Sequence, residues 1–180
     1  MRHTPLLIVG VALALAAHTA TAQRTVRRAD LDSSGRLRIL ISTGRVIRPS
    51  KDSGQVAFEQ ITVSADRRMV GWVALHRNCC TSYPIPLELV LLRADGGRTV
   101  IGNGMPIWQW AFVDDGRSVV IRQAPVHGAA PTSYERRDIR TGRLMAAATV
   151  DSISPSTALP AWARGATPRR ASSTRRSNER

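Results

Sequence analysis

Apolar residues along this chain fall in short runs separated by turn residues. Leu37 to Ile41 is rich in branched aliphatics, and Gly44 parts it from Val46-Ile47, which predicts a hairpin. The polar stretch 24–36 ahead of it ends in a turn signal, Asp32-Ser33-Ser34-Gly35, and Pro49 to Gly54 reads as a loop. Two later segments share one layout. Ile61-Thr62-Val63 leads through Ser64-Ala65-Asp66-Arg67-Arg68 into Met69-Val70-Gly71-Trp72, and Ala111-Phe112-Val113 leads through Asp114-Asp115-Gly116-Arg117 into Ser118 to Ile121. Each predicts a strand, a tight acidic turn with Arg, and a second strand; Asp66 aligns with Asp115 at a spacing of 49. Both copies then continue alike. Leu89–Arg93, the turn Asp95 to Arg98 and Thr99–Ile101 follow the first. Tyr134–Ile139, the turn Thr141 to Arg143 and Leu144–Ala147 follow the second. The prediction is an all-β domain over residues 23–150, built as antiparallel four-stranded meanders behind a hairpin.

Repeats of roughly 40–50 residues with four strands each are the signature of propeller blades. Ile61 to Trp72 resembles the TolB-like, WD-type propeller repeat, in which a strand, Ser-Pro-Asp-Gly-Arg and a strand ending in an aromatic follow one another. The first copy keeps Ser64, Asp66 and Arg68 but has neither the Pro nor the Gly. The second keeps Asp115-Gly116-Arg117 and lacks the Ser and Pro. The likeness covers residues 58–147, and the segment Cys79-Cys80-Thr81-Ser82-Tyr83-Pro84 is similar to one shared by a small group of bacterial exported proteins. The resemblance implies an incomplete β-propeller. Two blades and a hairpin do not close a ring that typically takes four or more, so a sheet face and edges are expected to meet a partner or a second copy.

The N-terminus departs from the strand pattern. Leu6 to Ala17 is one apolar run behind Arg2 and His3, followed by small residues ending Ala20-Thr21-Ala22. This reads as a signal peptide over 1–22, cleaved before Gln23. The run is too short to span a bilayer, and no later run is longer, so no transmembrane segment is expected after cleavage. The location expected is periplasmic or extracellular.

Charge adds one element. The formal net charge is +13, or +12 without Arg2, and +5 of it lies in residues 152–180. That end is rich in Ser, Thr, Pro, Ala and Arg, so a disordered basic tail is predicted over 151–180. A basic exported chain adheres to anionic headgroups, polysaccharide or nucleic acid. No aromatics interleave the tail arginines, and no specific nucleic-acid recognition is expected.

Candidate chemistry is sparse. Export implies a compartment where disulfides persist, which leaves Cys79 and Cys80 open to a vicinal disulfide, to bridges with a second copy, or to free thiols. No C-x-x-C spacing is present, which favours a structural staple over a redox role. His76, Cys79 and Cys80 lie within five residues and His127 falls in a later loop; thiolates and imidazole suit zinc or copper. Adjacent cysteines are not the usual zinc spacing, and no metal or other cofactor is expected. Trp108, Trp110 and Phe112 alternate with Gln109 and Ala111, which places three aromatics on one strand face, as inter-sheet core or as a platform for sugars or a peptide. Asp114 and Asp115 read as turn residues rather than acid/base or calcium groups. No G-x-S-x-G, Gly-rich phosphate loop or H-E-x-x-H occurs.

The loops around Cys79 to Pro84 and Val126 to Gly128 follow equivalent second strands and should emerge on the same side. Tyr83, Pro84, His127 and Gly128 are therefore the candidate binding-loop residues. The expected function is a non-enzymatic binding or scaffold module of the bacterial envelope, with a protein or envelope polymer as partner. Two alternatives stand beside it: a metal-binding or redox-responsive periplasmic protein using the Cys79-Cys80 loop, and a self-associating structural envelope protein, a homo-oligomer.

Overall fold

The computed structural model describes residues 23–127, 131–151 and 159–166. The strands are β1 (Val26–Leu31), β2 (Leu37–Ile41), β3 (Val46–Ile47), β4 (Gln55–Val63), β5 (Met69–His76), β6 (Ile85–Arg93), β7 (Arg98–Ile101), β8 (Ile107–Val113), β9 (Ser118–Gln123), β10 (Thr132–Asp138) and β11 (Leu144–Val150). They form three open antiparallel sheets, ordered β1-β2-β3, β4-β5-β6-β7 and β11-β10-β9-β8. Every neighbour in a sheet is also a neighbour in sequence, so both four-stranded sheets are the meanders expected. The leading hairpin gains a strand that the charges of Arg27, Arg28 and Asp30 conceal. β1 pairs along β2 from Val26↔Ile41 to Leu31↔Leu37, and only its first residue is fully buried.

The sheets stack face to face. Val26, Leu37, Ile39 and Ile41 of the first sheet meet Phe58, Val70, Trp72 and Val90 of the second. Met69, Val73, Leu75, Leu89 and Leu91 of the second sheet meet Ile107, Trp110, Val119 and Ile121 of the third. The middle sheet is thus covered on both faces, which explains why β5 is buried from Met69 through Leu75 with no polar alternation. Gly71 lets the third sheet approach: a Cβ there would collide with the Trp110 ring and with Leu91.

Trp108 departs from the expected aromatic stripe. The β8–β9 register shifts between Ile107 and Gln109, and such a bulge resets the side-chain alternation. Trp110 and Phe112 stay together at 5.0 Å in the inter-sheet core. Trp108 lies outside that cluster, and its indole N–H donates to the Ala124 carbonyl at 2.8 Å.

Part of the predicted tail is structured. Ala161–Ala166 forms a 3₁₀ segment, and Leu159, Trp162 and Ala163 pack with Tyr134 and Val150. Leu159 and Trp162 are the large apolar residues among the described residues of an otherwise Ser/Thr/Arg-rich stretch. They cover the face of the third sheet that points away from the stack, and that burial orders the segment against its polar surroundings. Residues 152–158 and 167–180, which make up the rest of that tail, and the leader 1–22 lie outside the described residues. Among the described residues, no helix is long and apolar enough to cross a membrane.

Candidate functional site

Antiparallel meanders place alternate connections at opposite ends of the stack. The β5–β6, β7–β8 and β9–β10 loops share one end, as the equivalence of the two repeats predicts. There a cleft of about 440 Å³ is lined by Ile85, Asn103, Gly104, Met105, Pro106, Pro125 and Val126. Ile85 directly follows the Cys79–Pro84 loop, and Val126 directly precedes His127, while Tyr83, Pro84 and His127 themselves are not among the lining residues. Tyr83 is 48% exposed and Met105 37% exposed, among the few large apolar side chains left in solvent. His127 is exposed, and Gly128 lies outside the described residues.

The floor of this cleft is held by groups the sequence pattern does not single out. Gln123, the last residue of β9, is buried to 1% exposure. Its amide N–H₂ donates to Asn103 Oδ1 at 2.9 Å and to the Met105 carbonyl at 3.0 Å. Asn103 Oδ1 also accepts the Met105 N–H at 3.0 Å. A buried amide satisfied this way fixes a loop that has no strand ladder of its own. Pro106 and Pro125 add rigid apolar walls without N–H donors. The Gly102-Asn103-Gly104-Met105-Pro106 run carries a loop signal; its partnership with Gln123, 20 residues away, is tertiary.

The cysteine loop takes a different form from the one expected. Cys79 and Cys80 are exposed free thiols, their sulfurs 2.8 Å apart in hydrogen-bond contact. The vicinal disulfide is therefore corrected to a thiol pair. The Asn78 side chain accepts the Cys80 N–H at 3.4 Å, and the Thr81 hydroxyl donates to the Tyr83 carbonyl at 2.6 Å, so local bonds order this turn. The hydrogen bond with Cys79, with the repulsion between two adjacent thiolates, pushes the Cys80 thiol above its ordinary range.

The metal reading finds no cluster. His76 faces Glu88, with Nε2 3.4 Å from the carboxylate, and among the described residues no three His, Cys, Asp or Glu groups are placed to share a metal ion. Asp114 and Asp115 act as turn residues. Asp114 accepts from the Ser118 hydroxyl and pairs with Arg136. Asp114, Asp115 and Gly116 all take positive φ, the left-handed backbone that Asp and Gly tolerate best in a tight hairpin turn. No family model, curated protein or solved structure matches this chain.

Proposed function

We propose that this chain is an exported, non-catalytic binding module of the bacterial envelope, and that it holds an extended apolar segment of a partner protein in the cleft between the β5–β6 and β9–β10 loops. One observation carries the reading: the β7–β8 and β9–β10 loops meet Ile85, where the β5–β6 loop enters β6, around one cleft whose lining is apolar and uncharged, with Asn103 as its polar member. A cleft of this size accepts one or two large side chains. Its prolines favour recognition by shape and apolar contact over strand addition. Exposed Tyr83 at the rim supplies an amphipathic anchor of the kind that dominates binding energy. The consecutive order of both meanders supports reading each as a propeller-type blade, and the signal-like leader supports export.

A displayed random peptide library panned on the secreted chain tests this. The expected outcome is enrichment of peptides with consecutive large apolar residues, lost in Met105→Glu and Tyr83→Ala variants that melt at the native temperature. No enrichment, or enrichment that survives Met105→Glu, overturns the cleft as the binding site. The intact mass of the same secreted material is expected to begin at Gln23; a retained leader overturns export by cleavage.

A further inference from the structure

The opposite end of the stack carries the short turns β4–β5, β6–β7, β8–β9 and β10–β11, and several arginines gather there. An open cleft of about 710 Å³ is lined by Gln23, Arg24, Arg68, Arg93, Ala94, Asp95 and Arg140. A smaller cleft of about 180 Å³ shares Arg24 and Ala94 and adds Arg45 to its wall. Four arginines from separate parts of the chain thus line the larger cleft, with Asp95 as the carboxylate in its lining, and Arg45 lines the smaller cleft that shares Arg24 with it.

The backbones that present these arginines are tied together. The Ala94 N–H donates to the Arg68 carbonyl at 2.8 Å. Across the two meanders, the Thr99 hydroxyl donates to the Arg140 carbonyl at 3.1 Å. Arg93 is held from two sides: its Nε donates to Asp95 at 3.0 Å, and its guanidinium lies against Gly97, where a Cβ would collide with it. Arg68 reaches Gln23 Oε1 at 2.8 Å and Asp66 at 3.8 Å.

Arg24, Arg45 and Arg140 differ. None has a carboxylate within 4 Å among the described residues, whereas Arg98, Arg136 and Arg137 elsewhere on the same sheets each pair with one. Asp95 and Asp66 balance Arg93 and Arg68, and the excess positive charge of Arg24, Arg45 and Arg140 favours a bound anion. Guanidinium forks match phosphate and carboxylate oxygens. A phosphoryl group carries close to two charges and three acceptor oxygens, against one charge and two oxygens for a carboxylate, so it satisfies more of this wall per group bound.

We propose that this Arg-lined cleft is a binding site for a ligand bearing two or more phosphoryl groups. The site goes beyond the apolar cleft and lies at the other end of the molecule, so either can fail while the other stands. The same chemistry is offered by a free oligophosphate and by a phosphorylated lipid headgroup.

Calorimetry of the secreted chain with inorganic tripolyphosphate at low salt tests the proposal, with citrate as a tricarboxylate control. Saturable one-to-one binding is expected, tighter than for citrate. An Arg24→Gln/Arg140→Gln variant should weaken it roughly tenfold or more, the scale of lost charge-assisted hydrogen bonds. Neither residue forms an ion pair among the described residues, so the variant's melting temperature should stay native. Arg28→Gln/Arg117→Gln, which removes two exposed charges outside the cleft lining, should bind as the native chain does. Unsaturable binding, equal loss in both double variants, or citrate binding as tight as tripolyphosphate overturns the site. Vesicles of cardiolipin, whose headgroup carries two phosphoryl groups, in phosphatidylcholine separate the sources. Capture that tripolyphosphate competes away assigns a headgroup, and tripolyphosphate binding without capture assigns a free ligand. Capture that tripolyphosphate leaves untouched shows adhesion alone and overturns the proposal.

Discussion

At one end of the two four-stranded sheets the strands are joined by short turns, most of them pinned by an aspartate that accepts backbone N–H groups; at the other they are joined by longer loops that meet on an apolar floor. Asp138 illustrates the first end, with one oxygen accepting the Arg140 and Thr141 N–H groups and the Thr141 hydroxyl at 2.8–3.0 Å. Asp95 accepts the Gly97 N–H at 3.0 Å in the same way. Gln123 illustrates the second, reaching from the end of a strand to hold the loop below it. The contrast teaches that local bonds can fix a turn completely and leave its arginine side chains free to face solvent, whereas a longer loop needs a buried long-range amide before it can present an apolar surface. The same scaffold therefore supports two surfaces of opposite chemistry.

The largest expected effect tests whether the scaffold is shared. Gly71→Ala pushes a methyl into the Trp110 ring and Leu91, and overpacking of this kind costs about 1–3 kcal/mol. Hydrogen exchange should show protection falling at Gly97 and at Met105 together. Loss confined to one end would break the picture of one continuous stack.

Acid should separate the Asp-pinned turns from the loop held by Gln123. Hydrogen bonds from the Gly97 N–H to Asp95 and from the Thr141 N–H to Asp138 hold both carboxyls below their ordinary 3.8. A depressed folded value means that the stabilisation is complete above the unfolded value and is lost as pH falls through the folded one. Stability should thus be flat above about pH 5 and fall below about pH 4. Amides of the Asp-pinned turns should lose protection first, while those tied to Gln123 keep theirs. Asp138→Asn should flatten part of this acid limb; an unchanged limb would show that the turn carboxylates do not set it.

The smallest effect lies in the cysteine loop. In Cys79→Ser the sulfur that raises the Cys80 thiol is gone, so Cys80 should alkylate faster at neutral pH, since the thiolate is the nucleophile. Folding stability should not move, because both thiols are exposed. Unchanged alkylation would show that the two sulfurs act independently.

The order of strands was legible because each turn carries its own chemistry: Asp with Gly or Ser bonds its own backbone, wherever the rest of the chain lies. Two four-stranded meanders and the side on which the Cys79–Pro84 and Val126 loops emerge follow from counting strands between such turns. β1 was hidden because Arg27, Arg28 and Asp30 mask its single buried face, and Leu159–Ala166 because a few apolar residues stand in a polar stretch. Trp108 was misplaced because a bulge leaves no mark in alternation.

The amino-acid order by itself determined the all-β class, the turns and the excess of arginine, since these rest on local backbone preference and composition. Only the tertiary structure decided which arginines converge, that Gln123 supports the loop of Met105, and that Cys79 and Cys80 sit as paired thiols. Those relations depend on how three sheets stack across Gly71 and Trp110, and contacts between residues distant in sequence have no local signal from which to be read.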